Sequence, residues 1–217
     1  MNTAIILAAG NSNRFGGNIP KQFIRIKNRL LIDFSISTFE KIKNIDKIII
    51  VVSKQYYGMM IKEYPKHTIV LGGKTRKQSS HNGLLSCDKN TKKVLLHDSA
   101  RPLVTKDLIN NCIDALDDYN AVTLAVAVKD TIAKVKNSSI IKIDDRETLR
   151  AIQTPQGFNF TKIKNAHTED KKNYTDDIQL MLNTNSICKF IEGDEKNFKV
   201  TTKSDFILLT EYLNNDK

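Results

Sequence analysis

The amino-acid sequence predicts an α/β protein with a three-layer, Rossmann-like fold: a mostly parallel, twisted sheet between helices, and a projecting β-arm. Three observations predict it. Short apolar segments alternate along the chain with segments whose apolar residues follow helical spacing. The run Lys47–Val52 is rich in β-branched residues, which is typical of a strand buried on both faces. Polar segments containing glycine follow several apolar runs, as expected where parallel strands end at a ligand site.

The strands are predicted from short apolar runs that end at turn-forming or polar residues. They are Ala4–Leu7, Lys47–Val52, Thr68–Leu71, Val94–Leu96, Ala121–Val128 and Ile187–Glu192. The helices are predicted from apolar residues at helical spacing and from capping residues such as Thr175-Asp176-Asp177 and the Thr202 to Asp205 pair. They are Leu30–Ile42, Gln55–Glu63, Lys77–Ser86, Asp107–Leu116, a helix from the Thr175 cap to about Asn183, and Asp205–Asn214.

One stretch breaks the alternation of strands and helices. Thr131–Val135 and Ile140–Ile143 read as two β segments around a turn, and no covering helix lies nearby in the sequence. We therefore expect a single domain over residues 1–217 with a projecting β-arm at about residues 129–149. The segment Gln153–Gly157, which follows the arm, is interpreted as a polar loop.

Composition excludes several classes of protein. The chain has 217 residues and no apolar run long enough to cross a membrane. Its N-terminus lacks the basic region of a signal peptide, so we expect a cytoplasmic location. Cys87, Cys112 and Cys188 have no metal-ligand spacing and are interpreted as reduced, buried thiols.

The formal net charge is +10, which is compatible with either nucleic acid or a small polyanionic substrate. The lysines are spread along the chain, and no basic run or aromatic interleaving typical of a nucleic-acid surface occurs. We therefore favour a small substrate over nucleic acid.

The loop after the first strand is the strongest functional signal. The strand ends in Ala8-Ala9-Gly10, whose small side chains let a ligand approach the backbone N–H and C=O groups. Arg14 and Lys21 follow at positions from which they can fold over a triphosphate. This pattern indicates a nucleoside triphosphate site, and the alternative is an ordinary β–α turn with two solvated cations.

Two other strand ends, Gly72–Arg76 and His97–Pro102, belong to the same predicted ligand edge. Asp98 can hold a ribose hydroxyl or Mg²⁺, whereas His97 is interpreted as a structural residue. Arg101 can bind phosphate or pair with an acid. Gly73-Lys74-Thr75 resembles the end of a Walker A motif. However, Thr68 occupies the position of the first glycine of that motif, so we reject a P-loop.

Seven motifs, taken in order, resemble one family of nucleotidyltransferases. They are LAAGNSNRF with PKQF, GGKTRKQS, HDSARPLV, VKDT, DRETL with QTPQGF, TDD and GDEKNFKVTT. The chain is similar in these motifs to the 2-C-methyl-D-erythritol 4-phosphate cytidylyltransferases of the non-mevalonate isoprenoid pathway. It also resembles their relatives, the ribitol-5-phosphate cytidylyltransferases. The resemblance runs from about residue 3 to 214 and implies the nucleotidyltransferase fold.

The resemblance implies a role for each matched position. Arg14, Lys21 and Lys199 match the catalytic cations. The positions matched to acceptor binding are Thr131, Arg146 and Thr154. The positions matched to CTP binding are Ala8, Ala9, Gly10, Gly73, Lys74, Ser79, Asp98 and Ser99.

The resemblance also implies a mechanism and an assembly. Mg²⁺, or another divalent cation, would be held mainly by the phosphates, with Asp98 as its candidate protein ligand. The arm would form a homodimer, with Thr131 and Arg146 reaching the partner's active site. The acceptor phosphate would attack the α-phosphorus of CTP without a covalent enzyme intermediate.

The chain departs from the family pattern at a few positions. Ser12 stands where a second glycine is usual, Phe15 where methionine is common, and Arg150 near the place of a common tryptophan. Ser99 replaces the first alanine of the usual HDAARP. None of these changes removes a charged group from the predicted site.

Three alternatives remain open at this point. In the first, the acceptor is ribitol 5-phosphate rather than methylerythritol phosphate, although VKDT and the QTPQGF ending favour methylerythritol phosphate. Alternatively, the chain is a nucleotide-binding protein without catalysis, or a basic protein that binds nucleic acid.

Overall fold

The computed structural model describes residues 1–12, 15–16, 19–170 and 172–215. Its strands are β1 Asn2–Ala8, β2 Arg25–Ile26, β3 Arg29–Leu30, β4 Lys47–Val52, β5 Thr68–Leu71, β6 Lys93–Asp98, β7 Ala121–Ala127, β8 Ala133–Lys136, β9 Ser139–Ile143, β10 Arg150–Asn159 and β11 Cys188–Glu192. Its α-helices are α1 Leu31–Phe39, α2 Lys54–Glu63, α3 Arg76–Leu85, α4 Lys106–Ala115, α5 Phe160–Glu169, α6 Asp177–Leu182 and α7 Lys203–Asn215. Short 3₁₀ helices cover Lys21–Phe23, Arg146–Thr148 and Glu195–Asn197.

The central sheet has seven strands in the order β11-β7-β10-β6-β1-β4-β5. All its strands are parallel except β10, which runs antiparallel between β6 and β7. The first strand lies near the middle, with β6 on one side and β4 on the other. The predicted mostly parallel sheet is therefore confirmed, and the carboxyl ends of β1, β5 and β6 lie along one edge.

Helices cover both faces of the sheet, as the three-layer prediction required. Ile6 and Ile50 point to one face and pack in a cluster with residues of α1, α2 and α4. Ile5 and Val51 point to the other face and pack with residues of α3, α5 and α6. Because neighbouring residues of β1 and β4 face opposite layers, these strands are apolar at nearly every position.

A third, smaller cluster fixes the end of the chain against the segment that follows β1. It joins Leu209 of α7 and Val200 to Phe15, Ile26 and Leu31. The packing of α7 therefore brings the segment before it, which contains Lys199, to the edge of the sheet where β1 ends.

The interpretation of Gln153–Gly157 as a loop is wrong. These residues lie inside β10, and Gln153, Thr154 and Gln156 are buried. The proline favoured a loop because it lacks the N–H that a central strand donates. The structure accommodates it by a register shift between Gln153 and Gln156, next to a cis Thr154-Pro155 peptide bond.

The predicted arm is confirmed as a hairpin of β8 and β9, which form a two-stranded sheet of their own. Its turn residues Asn137 and Ser138 have φ values of 47° and 65°, as a tight hairpin turn requires. Val135 and Ile140 are exposed, the latter at 67%. The arm thus presents apolar side chains that its own chain does not cover.

The remaining expectations concern membranes and thiols. No helix in the described part of the chain has the length and apolar character needed to cross a bilayer. All three cysteines are free, but only Cys112 is fully buried, whereas Cys87 and Cys188 are partly exposed.

Candidate functional site

A cleft of about 460 Å³ opens where β1, β5 and β6 end. The three segments that the sequence predicted as ligand-binding strand ends all line it. The predicted nucleotide residues in its wall are Ala8, Ala9, Gly10, Gly73, Lys74, Ser79, Asp98 and Ser99. Lys21 and Lys199 line the same cleft, whereas Arg14 lies outside the described residues. The structure therefore brings together residues that are far apart in the sequence, such as Ala8 and Lys199.

The glycine pair after β5 allows this wall to close against the first loop. A Cβ atom at Gly72 would lie 2.3 Å from the Cβ of Ala9 and 3.0 Å from the Oγ of Ser79. The Ser79 hydroxyl accepts a hydrogen bond from the Gly73 N–H at 3.1 Å and donates to the Thr75 carbonyl at 2.9 Å. The small residues Ala9, Gly72 and Gly73 thus let the two segments approach closely and leave backbone N–H and C=O groups accessible to a base.

Helix α3 begins directly after this wall. Thr75 caps its N-terminus by accepting a hydrogen bond from the Gln78 N–H at 3.1 Å. Gly73-Lys74-Thr75 therefore forms a capped turn after an edge strand, in agreement with the rejection of a P-loop.

Lys21 lies on the 3₁₀ helix that follows Pro20 and is largely buried. Asp205, in the first turn of α7, is close enough for the Lys21 charge to affect it. Burial raises the pKa of Asp205, but hydrogen bonds from the Thr202 and Thr201 N–H groups, together with Lys21, outweigh it and lower this pKa. Lys21 and the start of α7 therefore share one electrostatic environment beside the cleft.

Asp98 is the acidic centre of the cleft. Lys199 donates to its Oδ2 atom with an Nζ–Oδ2 distance of 2.5 Å, and Arg76 Nε lies 3.4 Å from Oδ1. Burial raises the pKa of Asp98, but the charges of Arg76 and Lys199 outweigh burial and hold it far below its usual value. The carboxylate is therefore ionised at physiological pH and can accept hydrogen bonds from ribose or bind a cation.

Arg76 extends this charge network into the interior. It also donates to the carboxylate of Asp177, which is 1% exposed and accepts further hydrogen bonds from Ser80 at 3.1 Å and from His167 at 3.0 Å. Burial raises the pKa of Asp177, but Arg76 and His167 outweigh burial and lower it. The sequence placed Arg76 on the predicted ligand edge and Asp177 in a helix cap, but it did not predict the ion pair between them, which joins the GGKTRKQS and TDD motifs.

His97 is confirmed as a structural residue at the end of β6. Its Nε2 atom lies 3.2 Å from the Arg101 carbonyl oxygen, and its Nδ1 atom lies 3.2 Å from the Thr154 hydroxyl. The same hydroxyl accepts the Asp98 N–H at 3.0 Å. Burial lowers the pKa of His97 to about 4. A neutral ring that donates from Nε2 and accepts at Nδ1 satisfies this geometry.

A second cleft of about 320 Å³ lies beside the first and shares Lys199 with it. Arg101 lines this cleft and donates to the Asn197 carbonyl at 2.7 Å and to the Ile152 carbonyl at 3.2 Å. Its Nε atom is buried without a partner among the described residues. Lys129 and Glu195 also line the cleft and form an ion pair with each other, so the positive charge of its wall comes from Arg101 and Lys199.

Thr131 and Arg146 lie close in the chain or in space to Lys129, which lines the second cleft. They are exposed at the base of the arm, where Arg146 donates to the Lys129 carbonyl at 3.2 Å. Neither residue lines the two clefts within its own chain. Thr154, the other predicted acceptor residue, is buried on β10 behind Asp98.

The described residues include no cluster of three or more His, Cys, Asp or Glu side chains able to hold a metal ion. Asp98 supplies one ionised carboxylate in the cleft. One carboxylate together with substrate phosphates is a donor set that Mg²⁺ accepts. The site therefore fits a cation held mainly by a bound triphosphate.

The model of the IspD family, 2-C-methyl-D-erythritol 4-phosphate cytidylyltransferase, matches residues 2–215. The chain belongs to this family. The resemblance seen in the seven motifs is therefore confirmed.

Relatives in the family match almost the whole chain. A 2-C-methyl-D-erythritol 4-phosphate cytidylyltransferase from Clostridium botulinum (strain Langeland) is 38% identical over 218 residues, covering 95% of both chains. One from Thermotoga neapolitana is 36% identical over 213 residues, covering 96% of this chain and 95% of the relative. The crystal structure of 4-diphosphocytidyl-2C-methyl-D-erythritol synthase from Anaerococcus prevotii superposes with a TM-score of 0.87 at 28% identity, covering 99% of this chain and 96% of that one. The shared architecture of this IspD-family fold therefore includes the strands that build the cleft.

Proposed function

We propose that this chain transfers CMP from CTP to 2-C-methyl-D-erythritol 4-phosphate, giving 4-diphosphocytidyl-2-C-methyl-D-erythritol and pyrophosphate in isoprenoid precursor synthesis. Membership of the cytidylyltransferase family supports this reaction. The observation that carries it is the pair of adjoining clefts that meet at Lys199, one lined by strand-end backbone and the other by Arg101. Two anionic substrates can therefore meet at one lysine.

The first cleft is the proposed CTP site. Cytosine would lie against the backbone of Ala8, Ala9 and Gly73 with the Ser79 hydroxyl nearby, because these groups form the wall between β1 and α3. The ribose would lie at Asp98 and Ser99. The triphosphate would extend toward Lys21, with Arg14 as the second predicted cation.

The reaction follows from the charges that line the clefts. A phosphate oxygen of the acceptor attacks the α-phosphorus of CTP, the bond between this phosphorus and the bridging oxygen to the β-phosphate breaks, and pyrophosphate leaves. The attacking phosphate is already an anion, so no protein base is needed. Lys21, Lys199 and Arg14 would hold the reactants in line and stabilise the negative charge that develops in the transition state.

Mg²⁺ is the proposed cofactor. Asp98 is the residue that would hold it, alongside the triphosphate oxygens. The ion would supply further neutralisation of phosphate charge. Since both carboxylate oxygens of Asp98 face cations, Lys199 and Arg76 would share the carboxylate with it.

The second cleft is the proposed acceptor site. Arg101 offers positive charge for a phosphate monoester, and Lys199 lies between this cleft and the nucleotide. Lys129 would contribute by exchanging its ion pair with Glu195 for the phosphate. Thr154 stays a predicted acceptor residue, with its hydroxyl already bonded to Asp98 and His97. Thr131 and Arg146 are proposed to reach this site from a partner subunit.

The arm is the proposed homodimer contact. More than half of the surface is exposed in each of its apolar residues Val135, Ile140, Ile141 and Ile143. An exposed apolar hairpin of this kind favours association with another surface. Within its own chain Arg146 bonds to the Lys129 carbonyl but does not line the acceptor cleft, whereas a partner's arm would bring its side chain into it.

An assay of pyrophosphate release tests the function. Purified protein with Mg²⁺ and CTP should release pyrophosphate with 2-C-methyl-D-erythritol 4-phosphate and form the CDP-linked product, identified by mass spectrometry. Faster turnover with D-ribitol 5-phosphate would assign the alternative acceptor. CTP binding without turnover of either acceptor would instead support a non-catalytic protein. Salt-sensitive binding of random RNA or DNA without CTP binding would support the nucleic-acid alternative.

A further inference from the structure

Gln22 is a buried polar residue at the junction of the two segments that the nucleotide site needs. It follows Lys21 on the 3₁₀ helix and is 3% exposed. Its Nε2 atom donates to the Ala8 carbonyl and to the Gly10 carbonyl, both at 2.8 Å. Each amide hydrogen therefore bonds to one carbonyl of the loop that follows β1.

The orientation of this side chain follows from its partners. If the carboxamide were rotated by half a turn, its oxygen would face two carbonyl oxygens, which cannot donate. In the observed orientation Oε1 accepts a hydrogen bond from the Ser12 hydroxyl at 3.1 Å. Both the Nε2 and the Oε1 atoms of Gln22 therefore have hydrogen-bond partners.

Ser12 completes the connection back to Lys21. Its hydroxyl oxygen accepts the Lys21 N–H at 3.2 Å while its proton goes to Gln22. The Ser12 backbone has a φ of 57°, a conformation that is unfavourable for a residue other than glycine. Hydrogen bonds at both sides of its hydroxyl help to compensate for this backbone cost.

These bonds form a closed link between the loop and the turn. The loop of Ala8 and Gly10 forms one wall of the nucleotide cleft, and Lys21 of the turn lines the same cleft. A lysine can stabilise charge at the α-phosphorus only if its backbone keeps a constant position relative to the bound nucleotide. Gln22 connects those two backbones through two hydrogen bonds to the loop, and Ser12 connects them through one.

We propose that Gln22 is a positioning residue that holds Lys21 in register with the CTP loop. The proposal rests on the cytidylyl transfer described above. Gln22 contributes by fixing the distance between the loop and Lys21, and Ser12 adds a second, weaker link to the Lys21 N–H.

A double-mutant cycle tests this role. Gln22→Met keeps the length of the side chain but removes its hydrogen bonds. We expect it to lower kcat by about tenfold or more, with a smaller change in KM for CTP, because small misplacements of a charged group are costly at the transition state. In a Lys21→Ala background the same substitution should change kcat by less than about threefold, since there is no lysine left to position. Equal losses in both backgrounds would overturn the proposal.

Thermal unfolding separates this role from a general loss of structure. The decrease in Tm caused by Gln22→Met should be the same in the wild-type protein and in the Lys21→Ala background, whereas the effect on kcat should not. If Gln22→Met does not fold, Gln22→Asn decides the case in the same cycle, because it keeps a neutral carboxamide but is one methylene too short to reach both carbonyls.

Two further variants serve as matched comparisons. Ser12→Gly removes the link to the Lys21 N–H but keeps both bonds from Gln22, so its loss of kcat should be smaller than that of Gln22→Met. An equal or larger loss would place the positioning at Ser12 and overturn the assignment. Asn2→Ala removes an amide that donates to the Asn44 carbonyl at 2.9 Å, at the end of β1 opposite the cleft, and should leave kcat unchanged. If wild-type protein releases no pyrophosphate at all, the proposed function fails instead.

Discussion

The ammonium group of Lys199 lies 2.5 Å from the Oδ2 atom of Asp98 and connects the segment before α7 to the end of β6. Arg76 lies on the other carboxylate oxygen. Asp98 therefore holds two cations at the boundary between the two clefts. A bound triphosphate would compete with Asp98 for Lys199 and Arg76. Lys199 could then contact the substrate with a small change in its position.

Replacement of Lys199 should therefore impair the chemical step. We expect Lys199→Met to lower kcat by about a hundredfold, because it removes a preorganised positive charge from the meeting point of the substrates. Steady-state kinetics with each substrate varied would measure the loss. Lys196→Met, which removes a lysine from the preceding 3₁₀ helix, is the matched control and should retain normal kcat.

Loss of the predicted triphosphate cations should be as severe. Lys21→Ala and Arg14→Ala should each lower turnover by at least about a hundredfold, which corresponds to roughly 3 kcal/mol of transition-state stabilisation. Single-turnover measurements with saturating CTP would separate this effect from weaker binding. Near-normal rates in either variant would contradict the role assigned to that residue.

The buried carboxylate of Asp177 should matter for folding. Asp177→Asn removes the anionic partner of His167 and one of the two carboxylates that Arg76 contacts, and breaking a buried ion pair on one side typically costs about 3–5 kcal/mol. Urea unfolding monitored by circular dichroism would measure the change. Asp88→Asn affects a partly exposed ion pair with Lys47 and should change stability by less than about 1 kcal/mol. Similar effects of the two substitutions would argue against the buried network.

The stability of the fold should decrease as the pH falls below neutrality. Burial lowers the pKa of His97 from 6.5 to about 4, so the folded state binds fewer protons than the unfolded state between these values. Stability is thus fully present above pH 6.5 and is lost as the pH falls toward 4, by at most about 3 kcal/mol. Protonation would also remove the acceptor that Nδ1 offers to Thr154.

Unfolding experiments at several pH values would check this, with His97→Gln as the comparison. The variant should lose much of the pH dependence between pH 6.5 and 4, whatever its absolute stability. Part of the dependence should remain, because burial also lowers the pKa of His81. Asp98 and Asp177 have lowered pKa values, so their stabilisation is present above pH 3.8 and is lost only as the pH falls further. An unchanged slope in His97→Gln would refute the assignment to His97.

The arm should act between subunits. Arg146→Ala should lower activity without lowering Tm, because Arg146 is exposed and bonds only to the Lys129 carbonyl and its neighbour Glu147 among the described residues. Mixing this variant with Lys21→Ala should recover activity, since a mixed dimer can assemble one site with both residues intact. No recovery after verified subunit exchange would show that the trans arrangement is wrong.

Local patterns in the sequence were sufficient for most strands and helices, for the arm and for the three segments that form the nucleotide cleft. Strand β4 illustrates why: its β-branched run is apolar on both faces and admits few other interpretations. The strand ends could be placed together because parallel strands deliver their carboxyl ends to one edge. The motif order then pointed to the family and to its substrate class.

The tertiary structure decided what depends on contacts between distant segments. Residues 153–157 of β10 were predicted as a loop because they contain a proline and two glutamines. The strand accommodates these residues through a register shift and through hydrogen bonds from the glutamines to Asp176 and Asp194. The bridge from Asp98 through Arg76 to Asp177 joins residues from three different elements. Hydrogen bonds and charge pairs of this kind leave no periodic trace in a sequence, because their strength depends on burial and distance that only the folded chain creates.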